Sequence, residues 1–64
     1  METQQHPSIL VDVNEATRMT SIKRSMLYNL MQGGELASIK VGRRRYIPVA
    51  AIHEFIQRHL EASN

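Results

Sequence analysis

The stretch IKVGRRRYIP, residues 39–48, marks a change from helical to alternating periodicity along the chain. Apolar and basic side chains alternate in Ile39-Lys40-Val41, and Tyr46-Ile47 resumes a strand after the tight turn that Gly42 permits. Pro48 ends this second strand and can open a helix. The stretch therefore predicts a β-hairpin whose tip carries three consecutive arginines, Arg43, Arg44 and Arg45.

Two short helices joined by a turn are predicted before the hairpin. Residues 12–15 (DVNE) form the capping-box pattern, in which a side-chain acceptor precedes a glutamate by three positions, so we expect a first helix over 13–19. The hydroxyls of Thr20-Ser21 favour a turn. A second helix is expected to run to about Gln32 and to stop at Gly33-Gly34, since glycine adopts the left-handed conformation that closes a helix.

A third helix is predicted after the hairpin. Its apolar residues recur at steps of three and four and form one face that would close the core from the other side: Val49, Ile52, Phe55, Ile56 and Leu60. The order helix, turn, helix, hairpin, helix predicts a mainly α fold with a small β-hairpin. We expect a flexible tail at residues 1–8 and one domain at residues 9–62.

Size and composition exclude several classes of protein. The 64 residues allow one domain with a thin core, which leaves little room for a buried catalytic pocket. Because the chain has no cysteine, it has neither a disulfide framework nor a thiolate zinc site. No apolar stretch approaches the roughly 20 residues of a membrane span, and the N-terminus lacks the pattern of a signal peptide. We expect a cytoplasmic protein that is not an enzyme.

Residue types that form metal, catalytic and cofactor sites elsewhere are not arranged for those roles in this sequence. The histidines are too scattered for a metal site: His6, His53 and His59. Serine and histidine both occur, but the sequence indicates no carboxylate to orient them as a catalytic triad requires. Gly33-Gly34 lacks the lysine and the spacing of a phosphate-binding loop. The methionines are expected to fill gaps in the core: Met19, Met26 and Met31. We expect neither a metal nor a cofactor.

The charge is distributed unevenly along the chain. Residues 1–17 carry a balance of −3 and residues 46–64 a balance of −1, so the net charge of +2 arises from the middle. Residues 18–45 have Glu35 as their one acidic residue against seven basic ones: Arg18, Lys23, Arg24, Lys40, Arg43, Arg44 and Arg45. Charge runs usually only solvate a surface, but this distribution also suits a polyanion such as nucleic acid.

The second predicted helix has two distinct faces. Leu27, Leu30 and Met31 form an apolar stripe at helical spacing. The opposite side carries polar side chains that can hydrogen-bond base edges: Ser25, Tyr28, Asn29 and Gln32. Lys23 and Arg24 stand at the helix start, where side chains and backbone N–H groups meet phosphates. This pattern favours a helix that packs with one face and reads DNA with the other.

The hairpin tip is the second candidate DNA contact. Its residues combine a flexible turn with concentrated positive charge: Lys40, Gly42, Arg43, Arg44 and Arg45. The alternative is an exposed loop that its charge keeps soluble. DNA contact is favoured, because phosphates relieve the mutual repulsion of adjacent arginines and a minor groove attracts them.

Nearly the whole chain, from Val11 to Leu60, resembles the excisionase-type helix-turn-helix proteins, relatives of the MerR-like winged helices. The resemblance rests on short matching stretches in a fixed order: Val13-Asn14-Glu15-Ala16, Ser25-Met26-Leu27-Tyr28, Gly34-Glu35-Leu36, Val41-Gly42-Arg43-Arg44 and Tyr46-Ile47-Pro48. It implies a winged helix-turn-helix fold with a recognition helix, Lys23 to Gln32, in the major groove. Ser25 and Asn29 would then read bases, and a wing at residues 42–45 would contact the minor groove or the backbone.

The sequence departs from the family pattern at three places. Ser21 stands where the inter-helix turn usually has glycine. Lys23 stands where a serine often caps the recognition helix, so Ser21 is expected to be the substitute cap. Arg45-Tyr46 reverses the usual order of an aromatic residue before a basic one, which leaves open which of the two points at DNA.

The resemblance implies an architectural recombination factor of a phage or mobile element, associated with the nucleoid of a bacterial host. Such an excisionase, or recombination directionality factor, bends double-stranded DNA with neighbouring copies of itself. It helps a tyrosine- or serine-type integrase to excise the phage or mobile element. A small transcriptional regulator with the same fold is the alternative, although the chain has room for neither a ligand pocket nor a long coiled coil. A protein-interaction module that does not touch DNA is disfavoured by the arginine tip.

Overall fold

Residues 9–63, the part of the chain that the computed structural model describes, fold into three helices and a three-stranded antiparallel sheet. The elements follow in the order β1 (Leu10–Asp12), α1 (Val13–Thr20), α2 (Arg24–Gln32), β2 (Ile39–Val41), β3 (Arg44–Pro48) and α3 (Val49–Ser63). The predicted fold class is confirmed, since α1 and α2 form the helix-turn-helix and β2 and β3 form the wing. The predicted tail at residues 1–8 lies outside the described residues, and the domain boundary therefore stays a prediction.

The sheet contains one strand more than the sequence predicted. β3 lies in the middle and pairs antiparallel with β2 on one side and with β1 on the other. Val11 lies opposite Ile47 across the β1–β3 pair, and both side chains are buried. The predicted hairpin is present as β2 and β3, but β1 was missed because its three residues become a strand through pairing with β3, which lies far along the chain. Through β1, the wing is joined directly to the start of α1.

The turn between the two helices differs from its prediction. Asp12 caps α1 as the capping box predicts, since its carboxylate accepts the Glu15 N–H at 2.8 Å. Ser21, however, ends α1 rather than capping α2: it adopts the left-handed conformation at φ 63° and donates its N–H to Thr17 O. The residue that precedes α2 is Lys23, whose side chain makes no capping hydrogen bond. The expected substitute cap was therefore wrong, because Ser21 occupies the position where the turn needs glycine-like geometry.

The end of α2 follows the prediction. Gly34 has a φ of +80°, the left-handed region that glycine enters without steric cost. The N–H of Glu35 donates to Leu30 O at 2.9 Å, and the N–H of Gly34 donates to Met31 O at 3.2 Å. These two bonds form a Schellman motif, which satisfies the last carbonyls of the helix and fixes the direction in which the chain leaves it.

A single core joins all three helices to the inner face of the sheet. Its buried members are Val11, Val13, Ala16, Leu27, Met31, Leu36, Ile47, Ile52 and Phe55. Met19 packs against this core, but Met26 is 49% exposed, so the expectation that it fills a core gap was wrong. Val49, Ile52 and Phe55 of α3 meet the core as predicted.

The second half of α3 does not close the core. Ile56 is 41% exposed and Leu60 is 58% exposed, contrary to the prediction. Helical periodicity identifies one apolar face of a helix but cannot show where the elements packed against that face end. Arg58 connects this half of α3 to the turn after α2, because its Nη2 donates to Glu35 O at 2.6 Å. Among residues 9–63, no helix has the length and apolarity needed to cross a membrane.

Candidate nucleic-acid interface

α2 presents its two faces as the sequence predicts. Leu27 and Met31 are buried in the core, and Leu30 packs against it. All four polar residues of the opposite face are exposed: Ser25, Tyr28, Asn29 and Gln32. Lys23 and Arg24 are exposed at the start of the helix. Their arrangement leaves a row of neutral hydrogen-bonding groups open to a ligand, with positive charge at one end.

The wing is a short hairpin with a two-residue turn. Val41 and Arg44 pair across the hairpin, which leaves Gly42 and Arg43 as the turn residues. Gly42 has a φ of +63°, whereas the φ of Arg43 is not positive, as in a type II′ turn with glycine at its first central position. Lys40, Gly42, Arg43 and Arg44 are exposed, so this tip carries its charge into solvent.

Arg45 and Tyr46 lie on opposite faces of β3, because successive side chains of a strand alternate. Arg45 is on the same face as the fully buried Ile47, which is the face that meets the helices. It is half-buried, and its Nη1 donates to Ser38 Oγ at 3.1 Å. Tyr46 lies on the outer face and pairs with Ile39 of β2 and Asp12 of β1. Arg45 is thus the member of this pair that points toward the side of α2.

A shallow cleft of about 180 Å³ lies between the wing, α2 and the start of α1. It brings together five of the predicted site residues: Arg24, Tyr28, Arg43, Arg44 and Arg45. The other six are exposed but do not line it: Lys23, Ser25, Asn29, Gln32, Lys40 and Gly42. Four guanidinium groups with one carboxylate nearby, that of Asp12, give the cleft a positive potential that suits an anion.

The start of α1 contributes lining residues that the site prediction did not include. Asp12 and Asn14 belong to the predicted capping-box stretch, and no role was predicted for them beyond the start of α1. Arg24 Nη1 donates to Asn14 Oδ1 across the cleft. Arg24 also lies over the Tyr28 ring, with 5.4 Å from its Cζ to the ring centroid, and its Nη2 is 3.5 Å from the Tyr28 hydroxyl. No pattern along one helix could have indicated the contact between Asn14 and Arg24.

No group of three or more histidine, aspartate or glutamate side chains suited to a metal ion occurs within residues 9–63. His53 and His59 are exposed on α3, and the His59 ring lies 4.2 Å from the Phe55 ring, measured between centroids. His6 lies outside the described residues.

Comparison with known proteins agrees with this geometry. The helix-turn-helix domain family matches the chain over residues 10–60, which include both helices, the wing and most of α3. An excisionase of Streptomyces ambofaciens is 37% identical over 51 residues, which cover 80% of this chain and 82% of that protein. The chain belongs to the excisionase-type helix-turn-helix family. The resemblance drawn from the motifs is thereby confirmed.

A second relative is longer than the present chain. A protein of Saccharopolyspora erythraea named "Probable excisionase" is 36% identical over 50 residues, which cover 78% of this chain. The chain spans about half, 51%, of the length of that relative. No solved structure matches this member of the excisionase family. Each of the two matched segments covers more than three quarters of this chain.

Proposed function

We propose that this excisionase-family protein binds double-stranded DNA without catalysing a reaction and acts as a recombination directionality factor. The observation that carries the proposal is the cleft in which Arg24 of α2 lies with Arg43, Arg44 and Arg45 of the wing. A sugar–phosphate strand is a polyanion that suits this cleft. Its binding is favoured because arginine side chains displace the counterions that neutralise the phosphates of free DNA. Two relatives are named as excisionases, which supports recombination as the process in which the protein acts.

In the proposed complex, α2 enters the major groove. Ser25, Asn29 and Gln32 then face base edges, and Asn29 is able to pair bidentately with adenine. Lys23 and Arg24 at the helix start contact phosphates. The wing, with Lys40 on β2 and arginines at its tip, lies on the minor groove or on the backbone beside it.

The small size of the interface implies that several copies act together. One recognition helix and one wing bury roughly 600–1,000 Å² of protein surface, which limits both the affinity and the specificity of a single protomer. Copies on sites about one helical turn apart would bend the DNA in one direction and bring distant integrase sites together. We propose this assembly, with a tyrosine- or serine-type integrase as partner, on the nucleoid of a bacterial host.

The test is a recombination assay with the cognate integrase, supported by gel shifts on DNA with one, two or three sites. We expect cooperative binding, a measurable bend and stimulation of excision, with inhibition or no effect on integration. The R43A/R44A double variant should lose all three effects. R18A is the control, because Arg18 is also exposed but pairs with Glu15 on α1 and does not line the cleft.

The alternative is a small transcriptional regulator, which the helix-turn-helix domain serves equally well. Independent binding to each site on straight DNA, with excision unchanged when the protein is omitted, would favour the regulator. Altered transcription from a promoter beside the bound site would then identify its role. Absence of binding to any DNA would reject both proposals.

A further inference from the structure

Arg24 is the one arginine of the cleft whose guanidinium is held by two side chains from different elements. Asn14 on α1 accepts a hydrogen bond from Nη1, and Tyr28, one turn along α2, lies beneath the guanidinium. All three residues are exposed, so no burial is available to fix the arginine in place of these contacts. An exposed arginine without such contacts samples many rotamers and loses that freedom when it binds.

The contacts leave the guanidinium able to bind an anion. A guanidinium has five N–H donors, of which Asn14 and the Tyr28 hydroxyl each take one. About three donors remain, on Nε and on both Nη atoms, and they suit the paired oxygens of a phosphate group. Asn14 is uncharged, so it orients the arginine and leaves its positive charge available. A carboxylate at the same position would neutralise that charge.

We propose that Asn14 is a positioning residue, which holds Arg24 in the orientation that binds a DNA phosphate between the recognition helix and the wing. Tyr28 supports the same guanidinium and therefore acts with the phosphate contacts rather than with the base-reading residues. This inference rests on the proposed function and adds a role for α1, which carries none of the predicted DNA contacts. Asn14 acts through Arg24 and does not itself need to touch DNA.

A double-mutant cycle tests this role. N14A should weaken binding to the preferred site and to random DNA by the same factor, about three- to tenfold, because the freed Arg24 must be ordered on binding. In the R24A background, N14A should cause no further loss. R24A alone should reduce the slope of log affinity against log salt by about 0.9, the share of one phosphate, and R24A/N14A should give the same slope as R24A.

Tyr28 provides a second arm of the same experiment. Y28L removes the ring beneath the guanidinium, so it should weaken binding to both DNAs equally, whereas Y28F should keep most of the affinity. N29A is the matched control, since it removes the same functional group from the face proposed to read bases. Thermal unfolding must show that N14A and Y28L remain folded, and a loss of binding explained by unfolding would overturn the positioning role.

Two outcomes separate this inference from the proposed function. If the wild-type protein binds DNA but N14A weakens R24A as much as it weakens the wild type, Asn14 acts independently and the positioning role is overturned. The same holds if N14A affects only the preferred site. If the wild-type protein binds no DNA at low salt, the proposed function fails first, and the phosphate role of Asn14 fails with it.

Discussion

The polar face of α2 and the wing lie on one side of the molecule but differ in charge: α2 exposes mainly neutral polar side chains, and the wing exposes arginines. α2 presents neutral hydrogen-bonding groups from a helix whose other face is fixed by Leu27, which is 1% exposed. The wing presents arginines from a hairpin whose outer strand, β2, is exposed at all three residues. Neutral groups distinguish one base edge from another, while charges attract any phosphate. In the proposed complex, the better-packed element would supply specificity and the less-packed element would supply affinity.

The largest effect is expected from a substitution in the core that supports both regions. Ile47 on β3 is fully buried, so I47A should lower the free energy of unfolding by about 2–4 kcal/mol through lost contacts and a cavity. I39A, the same substitution at a 44% exposed position of β2, should cost well under half as much. Chemical denaturation of both variants measures the difference. Equal losses would show that the wing contributes to stability as much as the core does.

The next effect concerns the wing alone. R43A/R44A removes two exposed cations, which should weaken binding to specific and random DNA alike by about 10- to 60-fold at 0.1 M salt. Fluorescence anisotropy on both DNAs, with R18A as a control that removes one exposed cation outside the cleft, gives the comparison. A loss confined to the preferred site would mean that the wing reads sequence, and the division between the two regions would then be rejected.

An effect of similar size, confined to the preferred site, should distinguish α2. N29A should weaken the preferred site by about 1–3 kcal/mol while it leaves random DNA unchanged, since one base contact is lost and no charge is removed. Q57A, which removes an exposed amide from α3, should change neither affinity. Equal losses on both DNAs for N29A would show that α2 is not the reading element.

The smallest effect compares the starts of the two helices. Asp12 caps α1, whereas Lys23 provides no side-chain cap for α2. K23S should therefore raise the free energy of unfolding by about 0.5–1 kcal/mol and still weaken binding to both DNAs several-fold, because a phosphate contact is lost. D12A should lower stability by about 1 kcal/mol. Unchanged DNA affinity in K23S would exclude Lys23 from the interface.

Much of this arrangement could be predicted from the sequence because its signals are local. Periodicity placed Leu27 and Met31 inside and Asn29 outside, and the residues around Gly42 indicated the hairpin. What failed depends on neighbours distant in sequence. β1 becomes a strand through pairing with β3, and Ile56 is exposed because the core ends before it. Asn14 joins the site only because the fold places it beside Arg24, ten positions further along the chain.

The salt dependence of DNA binding tests the central claim most directly. If the cleft, the start of α2 and the wing together neutralise about five phosphates, log affinity plotted against log salt should fall with a slope near −4 to −5. The measurement is a titration of wild-type protein with a DNA duplex between 50 and 300 mM salt. That slope, reduced by about 1.8 in R43A/R44A, is the predicted result. A slope near zero would contradict the assignment of this surface to DNA.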